Sequence, residues 1–253
     1  MMKSIIQLHS KGWKLCFFIF FLIFILISSN NSCVFCKEKS SKGNGIRTIY
    51  LIRHGEYNHK DKRGPKIGKG LIPLGIAQAR LVASRLRSLP VKMTSLYSST
   101  MTRARQTAMI INEEFPDLKL QQTSLLNECI PPTWRKDIMA KEDPKKILEC
   151  KNRLDKAFAQ FFKPSPEMDR HDIIVCHRNV IHYFVTKVLK VDSMAWLGMT
   201  IHNCSLTVVR IYPDGSMKLV SFNDIGHIPP NMQTETGPIK EERYLRVSNI
   251  TQK

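Results

Sequence analysis

Acidic side chains are scarce in this sequence of 253 residues: 21 Asp and Glu stand against 39 Lys and Arg, a formal net charge of +18. Residues 1–46 hold six lysines and one glutamate, so about +13 of that excess belongs to residues 47–253. Such a balance disfavours cationic partners and favours anionic ones: phosphorylated substrates, nucleic acid or anionic lipid. An arginine-rich tail and an aromatic–basic repeat are both missing, so no nucleic-acid partner is expected. The seven cysteines follow no framework spacing. Cys33 and Cys36 make a single C-x-x-C, and no second pair follows at the distance a zinc site needs, so no metal is expected. Cys129, Cys150, Cys176 and Cys204 are scattered and read as reduced thiols of a cytosol-facing domain. There is no internal repeat.

What is present begins with an unbroken apolar run at residues 15–27. Thirteen helical residues cover about 20 Å, and adding Trp13, Ser28 and Ser29 brings the span to roughly 26 Å, close to a thin bilayer. A signal peptide with Lys3, Lys11 and Lys14 as its charged region is the alternative. The following S-S-N-N-S-C offers no A-x-A-like cleavage site. Residues 1–29 are therefore expected to be a membrane anchor, with the membrane contact at 15–29. Residues 30–46, rich in Ser, Asn, Lys and Gly, read as a flexible tether to a catalytic domain at 47–253.

From Arg47 onward, strand-like and helix-like stretches alternate. Strands are expected at 47–52, 95–98, 118–125 and 172–176, each followed by a helical pattern or loop. The helices are expected at 74–89, 102–115, 145–162 and 179–189, and a hairpin at 206–222 turns on Pro213, Asp214 and Gly215. This order argues for a three-layer α/β/α sandwich with a mostly parallel sheet. In such sheets ligands bind beyond the carboxyl ends of the strands.

Four short stretches fall at those ends or just beyond. They are R-H-G-E (53–56), S-S-T-M-T-R-A-R-Q-T-A (98–108), L-N-E-C-I-P (126–131) and C-H-R-N (176–179). Together they resemble the histidine phosphatase superfamily, with its phosphoglycerate-mutase-like fold. V-C-H-R-N-V-I-H-Y, A-W-L-G-M-T-I-H-N-C-S-L-T and F-N-D-I-G-H-I-P-P further resemble the membrane-anchored mitochondrial serine/threonine-protein phosphatases of the phosphoglycerate mutase family. The resemblance implies phosphorylated protein substrates, no cofactor, and a single-pass mitochondrial location, outer membrane favoured, with the catalytic domain facing the cytosol. A secretory-pathway membrane, or secretion, is the alternative address.

The residue types suit phosphoryl transfer, which needs an in-line nucleophile, cations around the phosphoryl oxygens and a proton for the leaving oxygen. His54 is the expected nucleophile, one ring nitrogen held as N–H by a backbone carbonyl and the other free to attack. Arg53 and Arg103 would clamp phosphate with forked donors, and His177 would stabilise phosphoryl charge. Glu128 is the expected general acid and base, with a raised pKa. Asn58 is a candidate phosphate contact or a turn residue. Ser99 reads as a turn hydroxyl, Arg105 as helix surface and Arg178 as solvent-facing.

Two departures stand out. The family's usual helix opener L-T-P-L-G reads L-I-P-L-G here, which removes a plausible helix cap worth about 1 kcal/mol. The tether also lacks the tryptophan–aspartate motif typical of the narrower family, so a homodimer through the catalytic domain is expected rather than a higher oligomer. The competing readings are a small-molecule phosphatase or phosphoglycerate mutase of the same fold, and a scaffold without catalysis.

Overall fold

The computed structural model describes residues 45–235. The expected anchor and almost all of the tether lie outside the described residues. Among those described, no helix is long and apolar enough to cross a membrane.

The elements are β1 (Arg47–Arg53), α1 (Pro73–Arg87), β2 (Ser95–Ser99), α2 (Thr102–Glu113), β3 (Leu120–Thr123), α3 (Lys136–Met139), α4 (Pro144–Phe161), β4 (Arg170–Cys176), α5 (Arg178–Leu189), β5 (Leu206–Ile211) and β6 (Met217–Asp224). The six strands form one mixed sheet in the order β3-β2-β4-β1-β5-β6. β3, β2, β4 and β1 run parallel, whereas β5 is antiparallel to both β1 and β6.

Alternation along β1 divides the core in two. Ile49 and Leu51 pack with Leu154, Ala157 and Phe161 of α4 and with Val180, Ile181 and Phe184 of α5. Tyr50 and Ile52 face the other way, toward Ala79, Val82 and Leu86 of α1 and Ala104, Ala108 and Ile111 of α2. Helices therefore cover both faces, which is why β1 is buried along its whole length and its centre, residues 49–52, reads as a continuous apolar run. Each fully buried Leu, Ile or Phe side chain contributes roughly 1.5–3 kcal/mol.

The altered helix opener behaves as its chemistry dictates. Ile72 occupies the N-cap of α1 with no side-chain hydrogen bond, and Pro73 opens the helix. Gly75 in the first turn is required by contact: a Cβ there would overlap the Glu56 carbonyl. Gly55 abuts the Gly75 carbonyl in the same way, so close approach to α1 is what this glycine provides. The seat of α1 thus rests directly on the R-H-G-E turn.

One sequence expectation is overturned. Cys129 and Cys150 are joined in a disulfide with their Cα atoms 5.8 Å apart, while Cys176 and Cys204 are free and buried. The loop after β3 returns along α4, which brings two cysteines with no framework spacing within bonding reach.

Candidate active site

Parallel pairing of β1 with β4 places Arg53 opposite Cys176. The next residues, His54 and His177, leave the sheet side by side with ring centroids 5.1 Å apart. The His54 backbone N–H donates to the Cys176 carbonyl at 3.1 Å, which locks the two strand ends together. Arg103 lies in the first turn of α2, where β2 ends, so the third basic group arrives from the same edge of the sheet.

His54 is fixed in one tautomer. Its Nδ1 lies 2.8 Å from the Gly55 carbonyl oxygen, which can only accept, so Nδ1 carries the proton. Nε2 is then a lone pair, and it accepts from Arg103 Nε–H at 3.0 Å. Burial pushes the His54 pKa well below 6.5, with Arg103, His177 and Arg53 adding to the effect and the Gly55 hydrogen bond opposing it. The ring is a neutral base presented among cations.

Arg53 is 3% exposed; its Nη1 donates to the Ile201 carbonyl at 2.6 Å, and its Nε has no partner among the described residues. Burial lowers its pKa to about 10. Arg103 stacks its guanidinium 4.8 Å above the Tyr57 ring, an aromatic seat that fixes the fork. His177 is fully buried, with Nε2 2.8 Å from Ser99 Oγ and Nδ1 without a partner among the described residues. Burial lowers its pKa well below the ordinary value, and Arg103, Arg53 and Arg153 lower it further.

Glu128 is half-buried in the loop after β3. Burial raises its carboxyl above the ordinary range, although Arg103, Arg53 and two backbone N–H donors pull it down. That loop is held by Asn179, whose amide donates to the Cys129 carbonyl at 3.0 Å, and by the Cys129–Cys150 bridge. Five of the expected residues, Arg53, His54, Arg103, Glu128 and His177, therefore meet at the carboxyl ends of the parallel strands. Asn58 does not join them: it is exposed, and its side-chain oxygen closes a turn on the Lys60 N–H at 3.0 Å. Among the described residues, no group of His, Cys, Asp or Glu is arranged to hold a metal ion.

Residues 49–225 match the model of the histidine phosphatase superfamily, branch 1. The chain belongs to that superfamily. It is 39% identical over 204 residues to the mitochondrial serine/threonine-protein phosphatase Pgam5 of Caenorhabditis elegans, covering 76% of this chain and 68% of that protein. The enzyme of the same name from Xenopus tropicalis is 35% identical over 205 residues, covering 77% and 70%. Among solved structures, a phosphoglycerate mutase from Plasmodium falciparum gives a TM-score of 0.52 at 29% identity, over 74% of this chain and 96% of that one.

Around this candidate site the structure adds supporting contacts that the sequence reading did not foresee. Asn203 is 1% exposed, and its amide donates to the His54 carbonyl at 2.8 Å. Thr234 donates to Asn203 Oδ1, and Gln78 joins Thr234 to the Glu56 N–H, so one buried polar network holds the R-H-G-E turn from behind. Asn203 lies within the A-W-L-G-M-T-I-H-N-C-S-L-T stretch, but its N-C-S sequon points to a surface rather than to this contact. Ser99 is also buried rather than a plain turn hydroxyl, and Arg178 is half-buried and electrostatically coupled to Arg53 and His182.

Proposed function

We propose that the chain is a serine/threonine-protein phosphatase that works through a phosphohistidine on His54. The observation that carries this reading is the His54 Nδ1–H bond to Gly55, which turns the Nε2 lone pair toward Arg103 and His177. An arriving phosphoryl group takes over the Arg103 donor. Nε2 then attacks phosphorus, the Nε2–P bond forming as the ester P–O bond breaks, and Glu128 in its acid form protonates the leaving seryl or threonyl oxygen. Water next attacks phosphorus in line. Its O–P bond forms as the Nε2–P bond breaks, the Glu128 carboxylate takes the water's proton, and phosphate leaves with both groups restored. Arg53 and Arg103 supply the positive field around the phosphoryl oxygens in both steps, and His177 meets one of those oxygens through a shared proton.

The test is phosphate release from a phosphothreonine peptide by the full chain, beside His54→Ala and with a chelator present. Release by the wild type alone supports the reading. Release by neither chain, or by both, contradicts it.

The phosphoglycerate mutase likeness favours a second reading, a small-molecule enzyme. Between Glu128 and α4, however, the chain holds only α3, a helix of four residues, and no longer insertion that would enclose a small substrate. Formation of 2-phosphoglycerate from 3-phosphoglycerate, in place of peptide hydrolysis, would decide for the mutase.

For location, the relatives are named mitochondrial, and residues 15–29 would place this chain in a mitochondrial membrane, the outer one favoured, as a single-pass protein. The Cys129–Cys150 bridge belongs with an oxidising compartment. It therefore favours a catalytic domain on the side away from the cytosol, against the reduced-thiol expectation. Protease protection in intact organelles, with alkylation of any free Cys129 and Cys150, distinguishes the two sides. A homodimer of the catalytic domain remains part of the proposal, read by sedimentation of the purified chain.

A further inference from the structure

Ser99 closes β2 and is fully buried, and its hydroxyl has three neighbours at hydrogen-bond distance. They are Asn127 Oδ1 at 2.7 Å, His177 Nε2 at 2.8 Å and the Met101 backbone N–H at 3.2 Å. A hydroxyl has one proton and two lone pairs, so the roles can be assigned by elimination. Met101 N–H can only donate. The Thr100 backbone N–H also points at the Asn127 side-chain atom, at 3.0 Å, so that atom is the carbonyl oxygen and not the amide nitrogen. An oxygen there cannot donate, and Ser99 therefore gives its proton to Asn127. The lone pair that remains faces His177 Nε2, which must be the N–H. Nδ1 of His177, buried and without a partner among the described residues, is left as the lone pair.

We infer that Asn127 and Ser99 are positioning residues that hold His177 as its Nε2–H tautomer and leave Nδ1 to meet the phosphoryl group. The inference rests on the phosphatase reading of the site. It has a chemical consequence. A bare Nδ1 lone pair repels a phosphoryl oxygen, so the two can bond only by sharing one proton. A monoanionic phosphomonoester can bring that proton as P–O–H, or Nδ1 can carry it as imidazolium N–H. In either case Ser99 keeps the far side of the ring fixed while the proton sits between Nδ1 and oxygen. Removing Ser99 would free the ring to place its neutral proton on Nδ1, and Nε2 would become the bare atom.

The test is a nitrogen NMR spectrum of the full chain labelled with 15N-histidine, His177 being assigned by comparison with His177→Gln. It is paired with the affinity for inorganic phosphate. The wild type should show the Nε2–H pattern at His177. Ser99→Ala should mix the tautomers and, because a neutral Nδ1–H can meet the phosphate dianion without an added proton, tighten phosphate binding at pH 8 about tenfold, and Asn127→Ala should shift both readouts the same way. Ser99→Thr, which keeps the hydroxyl, should restore the wild-type spectrum and bring the affinity back to within about threefold. An Nδ1–H pattern in the wild type would overturn the inference, as would a Ser99→Ala protein that folds with tautomer and affinity unchanged. The wild-type spectrum needs no variant to fold and no turnover. Failure of the wild type to release phosphate from a phosphopeptide would instead overturn the phosphatase reading.

Discussion

Two buried arginines at opposite ends of β1 have opposite surroundings. Arg47, at the amino end, donates from Nε to Asp172 at 2.6 Å and from Nη1 to the Phe161 carbonyl at 3.1 Å. Arg170 contributes a second guanidinium to the same carboxylate at 3.2 Å. Arg53, at the carboxyl end, has one carbonyl partner and an Nε with no partner among the described residues, and it stands beside Arg103, His54 and His177. The first arginine is neutralised by the fold. The second has the Glu128 and Glu56 carboxylates near it, and neither is hydrogen-bonded to it among the described residues. A buried charge held without a hydrogen-bonded ion pair is costly, so the contrast marks one end of the strand as structural and the other as a candidate anion site, which the proposed function assigns to phosphate.

The comparison can be broken by experiment. The largest expected effect is at the nucleophile: His54→Ala should lower phosphopeptide hydrolysis on the order of 10⁴-fold, with the melting temperature unchanged. Arg53→Met should cost about 10²–10³ in kcat/KM while stability stays level or rises, because a poorly paired buried cation is removed. Arg47→Met should do the reverse. It leaves Asp172 paired with Arg170 alone and should destabilise the protein by about 1–3 kcal/mol in urea unfolding, with the folded fraction still active. If Arg47→Met spared stability, or Arg53→Met spared activity, the contrast would be wrong.

Smaller effects sharpen the picture. Breaking the Cys129–Cys150 bridge by Cys150→Ala should cost about 3 kcal/mol, and dithiothreitol should then have no further effect on the variant. Stability should also fall with acid. Burial depresses the pKa values of His54 and His177 and takes His182 down to about 3, so the unfolded chain binds protons that the folded one refuses. Stability is therefore full above about pH 6.5 and declines below it, by about 1.4 kcal/mol per pH unit for each such histidine. Glu128, whose folded pKa is raised, opposes this between its unfolded value and its folded one. Urea midpoints at pH 7.5 and 5.5 measure the balance, and a higher midpoint at pH 5.5 would contradict it.

Much of the scaffold was legible because it is written in local periodicity. The expected helix at 179–189 and the observed Arg178–Leu189 differ by one residue, since apolar side chains recur there at helical spacing. The strand expected at 118–125 shrinks to Leu120–Thr123, because Leu118 closes a turn on Phe115 and the Thr123 side chain caps a short helical turn from Ser124. The residues that touch phosphate in the proposal were legible as motifs at strand ends. The contacts that support them were not. Asn203 reaches His54 from 149 positions away, and the partners of Ser99 lie 28 and 78 positions on. Arg47, Asp172 and the disulfide were missed for the same reason: each pairing is made by the topology and leaves no trace in spacing.

The most direct test of the central claim is to trap the intermediate. The full chain would be mixed with a phosphothreonine protein labelled in its phosphate and quenched in alkali within the first turnover. The account predicts a label on the chain that survives alkali, is lost in acid, maps to His54 and is absent from His54→Ala. Rapid phosphate release with no such label, or a label on another residue that persists in His54→Ala, would contradict it.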